Sequence, residues 1–360
     1  MLDRRAFLIA SAAAITSVAA PARAARRPRG PSATQRRAYR QAEQYSLQRA
    51  GSSMLVVRAG RTEYESYGAG GGPSTVRALA SGTKTFCGLV AVAAVADGLL
   101  ALDEPCSQTL VAWREDPARA AITVRQLLML VGGLDPLPGV LDPKLGAPSG
   151  DQFQAALAAP VLAAPGTRFD YGPVPFLVFG EIMNRKLAAR GSDVERYLNA
   201  RVLAPIGARV AGWLRDDAGQ PHLAGGAGMT ARDWSRVGRL IVADGRWGRR
   251  RVLDAGLLRD ARSAGSAANR AYGLTFWRNA PGLTARAVAG PGPGTPTRRP
   301  IILPGGPNDL VMAAGAGNQR LYLFPSSDLV IVRQAPVRAG QQAGGWSDAE
   351  FLELALAAER

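Results

Sequence analysis

Histidine is almost absent from this chain. His222 is the only one in 360 residues. That excludes any site built from several histidine ligands, and it leaves any histidine-dependent relay resting on one residue. Cysteine is nearly as scarce, with only Cys87 and Cys106. Two thiols are not a disulfide framework, and with a single histidine they do not form a zinc cluster. The expectation is a buried free thiol at Cys87, with one disulfide after export as the alternative. No metal and no cofactor is implied.

Lysine is also rare. Of 44 basic residues only Lys84, Lys144 and Lys186 are lysines, and the rest are arginine. Arginine keeps its proton at neutral pH, whereas a partly buried lysine can lose it. A site that needs a titratable amine therefore has few places to be.

The formal charge is +16, but it is concentrated. Residues 1–50 carry ten arginines against Asp3 and Glu43, a net of +8, which leaves +8 for the rest. No basic face interleaved with aromatics stands out, so nucleic acid is not an expected partner. The first 24 residues read as an export signal: Arg4-Arg5, an apolar run from Ala6 to Ala20, and small residues Ala22 and Ala24 before a cleavage point. The paired arginines resemble a twin-arginine signal, which implies a periplasmic or secreted protein. The run is short for a bilayer span, so no stable membrane insertion is expected after cleavage. Residues 25–41 read as a flexible basic linker.

With 47% hydrophobic residues, the chain can build a core. "SSMLVVRAGRTEYESYG" reads as a hairpin around Ala59-Gly60. From Phe86 to Leu100 an apolar run reads as a buried helix. Residues 101–265 are mostly helical, with Pro/Gly breaks. Thr230-x-x-Asp233 and Ser347-x-x-Glu350 are capping-box signals. After residue 270 the period becomes strand-like: "AYGLTFW", a Pro/Gly loop over 289–307, then three apolar runs from Asp309 to Gln334. The fold class expected is α+β. One antiparallel sheet is built from both chain ends (about 42–80 and 266–360), with a mostly helical lobe (about 101–265) inserted between them. A cleft is expected at their junction.

Ser81-Gly82-Thr83-Lys84 opens the buried helix. On a helix, residues three apart share a face, so the hydroxyl and the amine can meet at the helix N-terminus, where the dipole favours an oxyanion. The bland alternative is an N-cap serine and a solvated lysine. Four residues alone do not decide between them.

Further segments carry a resemblance. "SGTKTF", "ITVRQLLMLVGGLDP", "GTRFDYGPVPFLVFGEIM", "GGAGMTARDWSRVGRLIVADGRW" and "MAAGAGNQRLYLFPSSDLVIVRQ" follow one another as in the penicillin-recognising serine hydrolases. These comprise class C β-lactamases, DD-peptidases and the esterases and nylon-oligomer hydrolases of that fold. The resemblance covers about residues 45–338. It implies Ser81 as nucleophile, Lys84 as the residue assisting its deprotonation, Tyr171 as general base and then acid, and the backbone N–H groups of Ser81 and Ala316 as the oxyanion hole.

The departures concern the substrate. Tyr171-Gly172-Pro173 has Pro173 where the family motif Tyr-x-Asn has its amide. Ala313-Ala314-Gly315 stands where Lys-Thr-Gly or His-x-Gly would hold a carboxylate. Of the substrate-contacting positions Pro173, Gly315, Gln319 and Arg320, only Gln319 and Arg320 offer a polar substitute. Leu130-Val131-Gly132-Gly133-Leu134 lacks the histidine of the corresponding family segment. A site stripped of these groups points to an esterase, or an amide hydrolase, rather than an enzyme for carboxylate-bearing β-lactams or D-Ala-D-Ala peptides. A β-lactamase or D,D-peptidase is the alternative, and a binding protein on the same fold is the other. His222 has no acidic orienting residue nearby in sequence and reads as structural or at the cleft edge.

Overall fold

In the computed structural model, the residues described are 30–136, 150–283 and 298–359. The proposed signal, part of the basic linker and the first part of the 289–307 loop lie outside them. The compact unit is Pro31–Arg360.

Six strands form the main sheet, numbered here along the chain: β1 Ser53–Arg58, β2 Arg61–Tyr67, β3 Trp277–Arg278, β4 Val311–Gly315, β5 Gln319–Phe324 and β6 Leu329–Gln334. Their order is β2-β1-β6-β5-β4-β3, all antiparallel. Both chain ends therefore meet at the β1–β6 pair, as the sequence pattern required. The β1–β2 turn has positive φ at Ala59 and Gly60, the conformation two-residue hairpins use to match strand twist. "AYGLTFW" is less regular than expected: only Trp277 enters the sheet, after a bridge back to Tyr272.

Both faces of the sheet are covered, so β6 is buried along its whole length. Leu321, Leu323 and Val330 meet the helix Ala231–Val242. A Cβ on Gly238 would lie 2.6 Å from Val330 Cγ1, so glycine lets this helix settle on the strands. That contact corrects the lobe boundary read from sequence, because Ala231–Val242 packs on the sheet. On the other face Tyr322 stacks on Phe351 of the helix Asp348–Ala355, and Tyr39 and Tyr64 pack together.

Residues 33–41 are not a linker. They begin the helix Ala33–Leu47, started by a full capping box between Ser32 and Gln35. Its inward stripe Ala38, Tyr39, Ala42 and Tyr45 is buried. The alternating Arg and Gln residues hid that stripe, since an amphipathic helix with a narrow apolar face resembles a polar linker in composition. Thr230 and Ser347 each cap the N–H three residues on, but only that half of each capping box is formed.

A small second sheet, Val76–Ala78, Ala227–Thr230 and Gly212–Trp213, was not expected. It ties the segment before Ser81 to the segment before the Ala231–Val242 helix. No helix among the described residues is long and apolar enough to cross a membrane.

Candidate active site

Ser81 lies in a 3₁₀ turn, Ala80–Lys84, which runs directly into the helix Thr85–Ala96. That helix is buried from Thr85 through Ala94, as an all-round apolar sequence demands. In a 3₁₀ turn residues i and i+3 eclipse, so Lys84 is brought directly over Ser81. Its Nζ donates to Ser81 Oγ at 3.0 Å and to the Ala224 carbonyl at 2.7 Å. Lys84 is buried, at 4% exposure, and forms no ion pair among the described residues. Instead its Nζ lies 4.9 Å from the Tyr171 ring centroid and 5.4 Å from that of Phe176, within cation–π range.

The turn is braced from several sides. Thr83 Oγ1 donates to the Ala80 carbonyl at 2.7 Å and accepts from Ala227 N–H at 3.2 Å. Leu79 N–H donates to the Ala227 carbonyl. Ala80, just before the serine, has φ +47°, a left-handed conformation that persists where surroundings enforce it. Nothing in the sequence marked it, since alanine carries no turn signal.

Tyr171 is half-buried in an aromatic cluster. It stacks on Trp277 with centroids 5.6 Å apart and meets Tyr272 edge-on at 6.2 Å. Phe169 closes the group. Burial, then the neighbouring Tyr171 and Cys87, holds the Tyr272 hydroxyl well above the ordinary tyrosine range, so it stays protonated. Sequence reading found Tyr171 but not Tyr272 or Trp277, because both lie a hundred residues downstream of it.

The end of β4 reaches the same turn. A Cβ on Gly315 would lie 2.1 Å from the Leu79 carbonyl oxygen and 3.1 Å from Gly82 N. Only glycine allows that approach. It sets the next residue, the exposed Ala316, beside the serine turn.

Ser81, Lys84, Tyr171 and Gly315 therefore converge, whereas three of the proposed substrate contacts do not. Pro173 is buried and caps the helix Val174–Ala188, its carbonyl accepting from Phe176 N–H at 3.0 Å. Gln319 is fully buried and is consumed by Ala335: its Nε2 donates to the Ala335 carbonyl at 2.7 Å, and its Oε1 accepts from Ala335 N–H at 3.2 Å. Arg320 points to the opposite face of the sheet and is held by Asp348 at 2.6 Å. Strand alternation decides this: Arg320 shares the face of Tyr322, which packs on the C-terminal helix.

His222 is buried. Its Nδ1 lies 2.8 Å from Gln152 Oε1, so the ring donates there. Burial, with Lys84 adding to it and Asp216 opposing, pushes the imidazole down to about 4. Its carbonyl accepts from Gly225 and Gly226 N–H, closing the turn that carries the Ala224 carbonyl. His222 thus supports the Lys84 acceptor from behind and has no hydrogen bond to Ser81. Both cysteines are free and buried, and burial raises both thiols. Among the described residues no group of His, Cys, Asp or Glu could hold a metal. A cavity of about 610 Å³ lies at the other end of the strands, lined by Asp244, Arg262, Arg278 and Asp309. None of the converging residues borders it.

A nucleophile-type hydroxyl, a buried amine on it, an aromatic hydroxyl side chain beside the amine, and a strand end pressed against the turn suit acyl transfer. Known proteins give the same frame. The family model described as Beta-lactamase matches residues 34–334. The chain superposes on a penicillin-binding protein homologue from Caulobacter crescentus with a TM-score of 0.67 at 17% identity, covering 92% of this chain and 99% of that one. A beta-lactamase from Sulfitobacter sp. EE-36 gives 0.62 at 20% identity, covering 91% and 98%. EstCE1, a hydrolase with promiscuous acyltransferase activity, gives 0.65 at 17% identity, covering 91% and 99%. No curated protein matches the sequence.

Proposed function

The chain belongs to the beta-lactamase family, and from that premise we propose that it is an exported serine hydrolase acting on uncharged esters through a Ser81 acyl-enzyme. The observation that carries this reading is the buried Lys84 amine 3.0 Å from Ser81 Oγ. An alcohol becomes a nucleophile when a neighbour takes its proton, and here that neighbour is a titratable amine in a chain whose other basic residues are almost all arginine.

The steps follow from the placement. Ser81 Oγ attacks the ester carbonyl while its proton passes to the Lys84–Tyr171 pair. The carbonyl oxygen becomes an oxyanion, received by the Ser81 and Ala316 N–H groups. Collapse breaks the bond to the alkoxide, which takes the proton from Tyr171. Water then attacks the acyl-enzyme, the same pair accepts its proton, and the acid leaves as Ser81 is reprotonated.

Three features favour esters. No cation stands at Ala313, which is buried at 2% exposure. Gln319 and Arg320 are engaged elsewhere, as described. The side chains next to the amine, Tyr171 with Trp277 stacked on it, are aromatic. An alkoxide also leaves more readily than an amine, so the lost substrate-holding groups matter less. The N-terminal Arg4-Arg5 and the apolar run after it support export to the periplasm or beyond.

The test is turnover of p-nitrophenyl acetate and butyrate by the wild type and Ser81→Ala, with nitrocefin alongside. The expected result is ester turnover that vanishes in the variant, with little or no nitrocefin hydrolysis. Equal turnover by both proteins rejects Ser81. Fast nitrocefin turnover makes the chain a β-lactamase. A wild type that never labels with a fluorophosphonate is a binding protein.

A further inference from the structure

Arg320 is out of reach as a substrate ligand, yet it touches the site through the backbone. Its Nη1 donates to the Gly315 carbonyl at 3.2 Å and to the Gln319 carbonyl at 3.0 Å, while its Nε is held by Asp348 Oδ1 at 2.6 Å. The Gly315 carbonyl and the Ala316 N–H are opposite ends of one planar peptide group. Whatever fixes the carbonyl therefore fixes the direction of the N–H. A charge-assisted hydrogen bond to the oxygen also polarises the group and strengthens its N–H as a donor.

The following turn is held in the same way. Gly317 and Asn318 both have positive φ, +71° and +59°, and for Asn318 that conformation needs support. Arg333 provides it: Nη1 donates to the Gly317 carbonyl at 2.8 Å and to the Asn318 carbonyl at 2.9 Å. Arg333 is fully buried on β6, with its Nε on Ser46 Oγ and its Nη2 on the Arg49 carbonyl. It stands directly across from Arg320 in the strand register. Like charges so placed repel. Asp348 compensates for Arg320, while carbonyls and the Trp346 ring, 4.6 Å from the guanidinium carbon, surround Arg333. Packing alone would favour apolar side chains at this pair of positions.

We propose that Arg320 is a positioning residue of the oxyanion hole, aiming and polarising the Gly315–Ala316 peptide from behind, with Arg333 clamping the turn that follows. This rests on the reading of Ala316 N–H as an oxyanion donor in the Ser81 reaction.

The experiment compares wild type, Ser81→Ala, Arg320→Met, Arg320→Lys and, as a control, the exposed Arg259→Met. It measures kcat and KM for p-nitrophenyl butyrate per titrated active site, and the inhibition constant of phenylboronic acid, whose tetrahedral serine adduct places an oxygen in the hole. Removing one such donor lowers kcat about 10²–10³-fold, so weakening it in Arg320→Met is expected to lower kcat about tenfold. KM stays within about twofold, boronate binding weakens by the same factor as kcat, and Arg259→Met is unchanged. Arg320→Lys keeps a cation for Asp348 but cannot also reach the Gly315 oxygen. It is expected to recover the melting temperature and not kcat, and it carries the test if Arg320→Met fails to fold.

Wild-type kcat in Arg320→Lys overturns the proposal, as does a fall in kcat with unchanged boronate affinity. If wild type has no Ser81-dependent turnover and no Ser81 labelling, the functional reading itself falls and takes this proposal with it. Loss confined to the Arg320 variants' kcat and boronate affinity supports both.

Discussion

Gly315 presses against Leu79: a Cβ there would sit 2.1 Å from the Leu79 carbonyl oxygen. This is a backbone-to-backbone contact between β4 and the turn that carries the nucleophile. No side-chain rotation relieves it, so Gly315→Ala must move one segment by about an ångström. Overpacking of this kind costs about 1–3 kcal/mol, and such a displacement of reacting groups costs about 10²-fold in rate. The expected outcome is a folded protein with a lower melting temperature and about a hundredfold loss of kcat for p-nitrophenyl butyrate. Near-wild-type turnover would show that the strand end and the serine turn are not mutually positioned by this contact.

Lys84 has two acceptors and two aromatic neighbours, but no carboxylate partner among the described residues. Lys84→Arg keeps a cation but replaces an amine that can give up its proton with a guanidinium that does not. Loss of proton transfer costs about 10²–10⁴-fold. We expect kcat to fall into that range for Lys84→Arg and Lys84→Met alike. Adding Ser81→Ala should lower it little further, because residues of one catalytic unit are not additive. Activity retained in Lys84→Arg would mean the amine acts only as a positive charge.

Much of this arrangement was legible in the sequence, for specific reasons. The pairing of the chain ends followed from short apolar runs near both termini, and the Ser81–Lys84 contact from residue spacing taken together with the scarcity of lysine and the ordered segments downstream. What escaped depended on long-range placement. The Ala224 carbonyl, the second acceptor for Lys84, is a backbone atom 140 residues away and has no side-chain signature. Trp277 reads as an ordinary strand residue until it stacks on Tyr171. Gln319 and Arg320 looked available because a sequence shows polarity but not direction. Strand alternation places Arg320 on the far face, and the Gln319 amide is used by Ala335.

His222 gives a prediction about acid stability. Its native imidazole is pushed down to about 4 against an ordinary value of 6.5. As pH falls through 6.5 the unfolded chain takes up a proton that the native state refuses until about 4. Stability therefore falls across that window and levels off below it. The size is about 3 kcal/mol, from roughly 1.4 kcal/mol per unit. His222→Asn, which keeps a donor for Gln152 but does not titrate, should flatten the urea-unfolding midpoint between pH 6.5 and 4 relative to wild type. Because His222 is the only histidine, its NMR titration is unambiguous. A native midpoint near 6.5 would sink the idea.

Tyr171 separates the chemistry from the packing. Its ring is fixed by stacking on Trp277 at 23° and by the edge of Tyr272, so Tyr171→Phe keeps the ring and deletes only the hydroxyl. If that hydroxyl shuttles the proton, kcat falls about 10²–10⁴-fold with KM and melting temperature nearly unchanged. The loss should also depend on the leaving group. A p-nitrophenolate departs without needing a proton, whereas an alkoxide from an alkyl ester needs one. Tyr171→Phe is therefore expected to lose more activity on ethyl butyrate than on p-nitrophenyl butyrate, while Trp277→Leu, which loosens the ring without removing the hydroxyl, lowers both alike. Equal losses on the two esters in Tyr171→Phe would remove Tyr171 from the leaving-group step and leave protonation to Lys84.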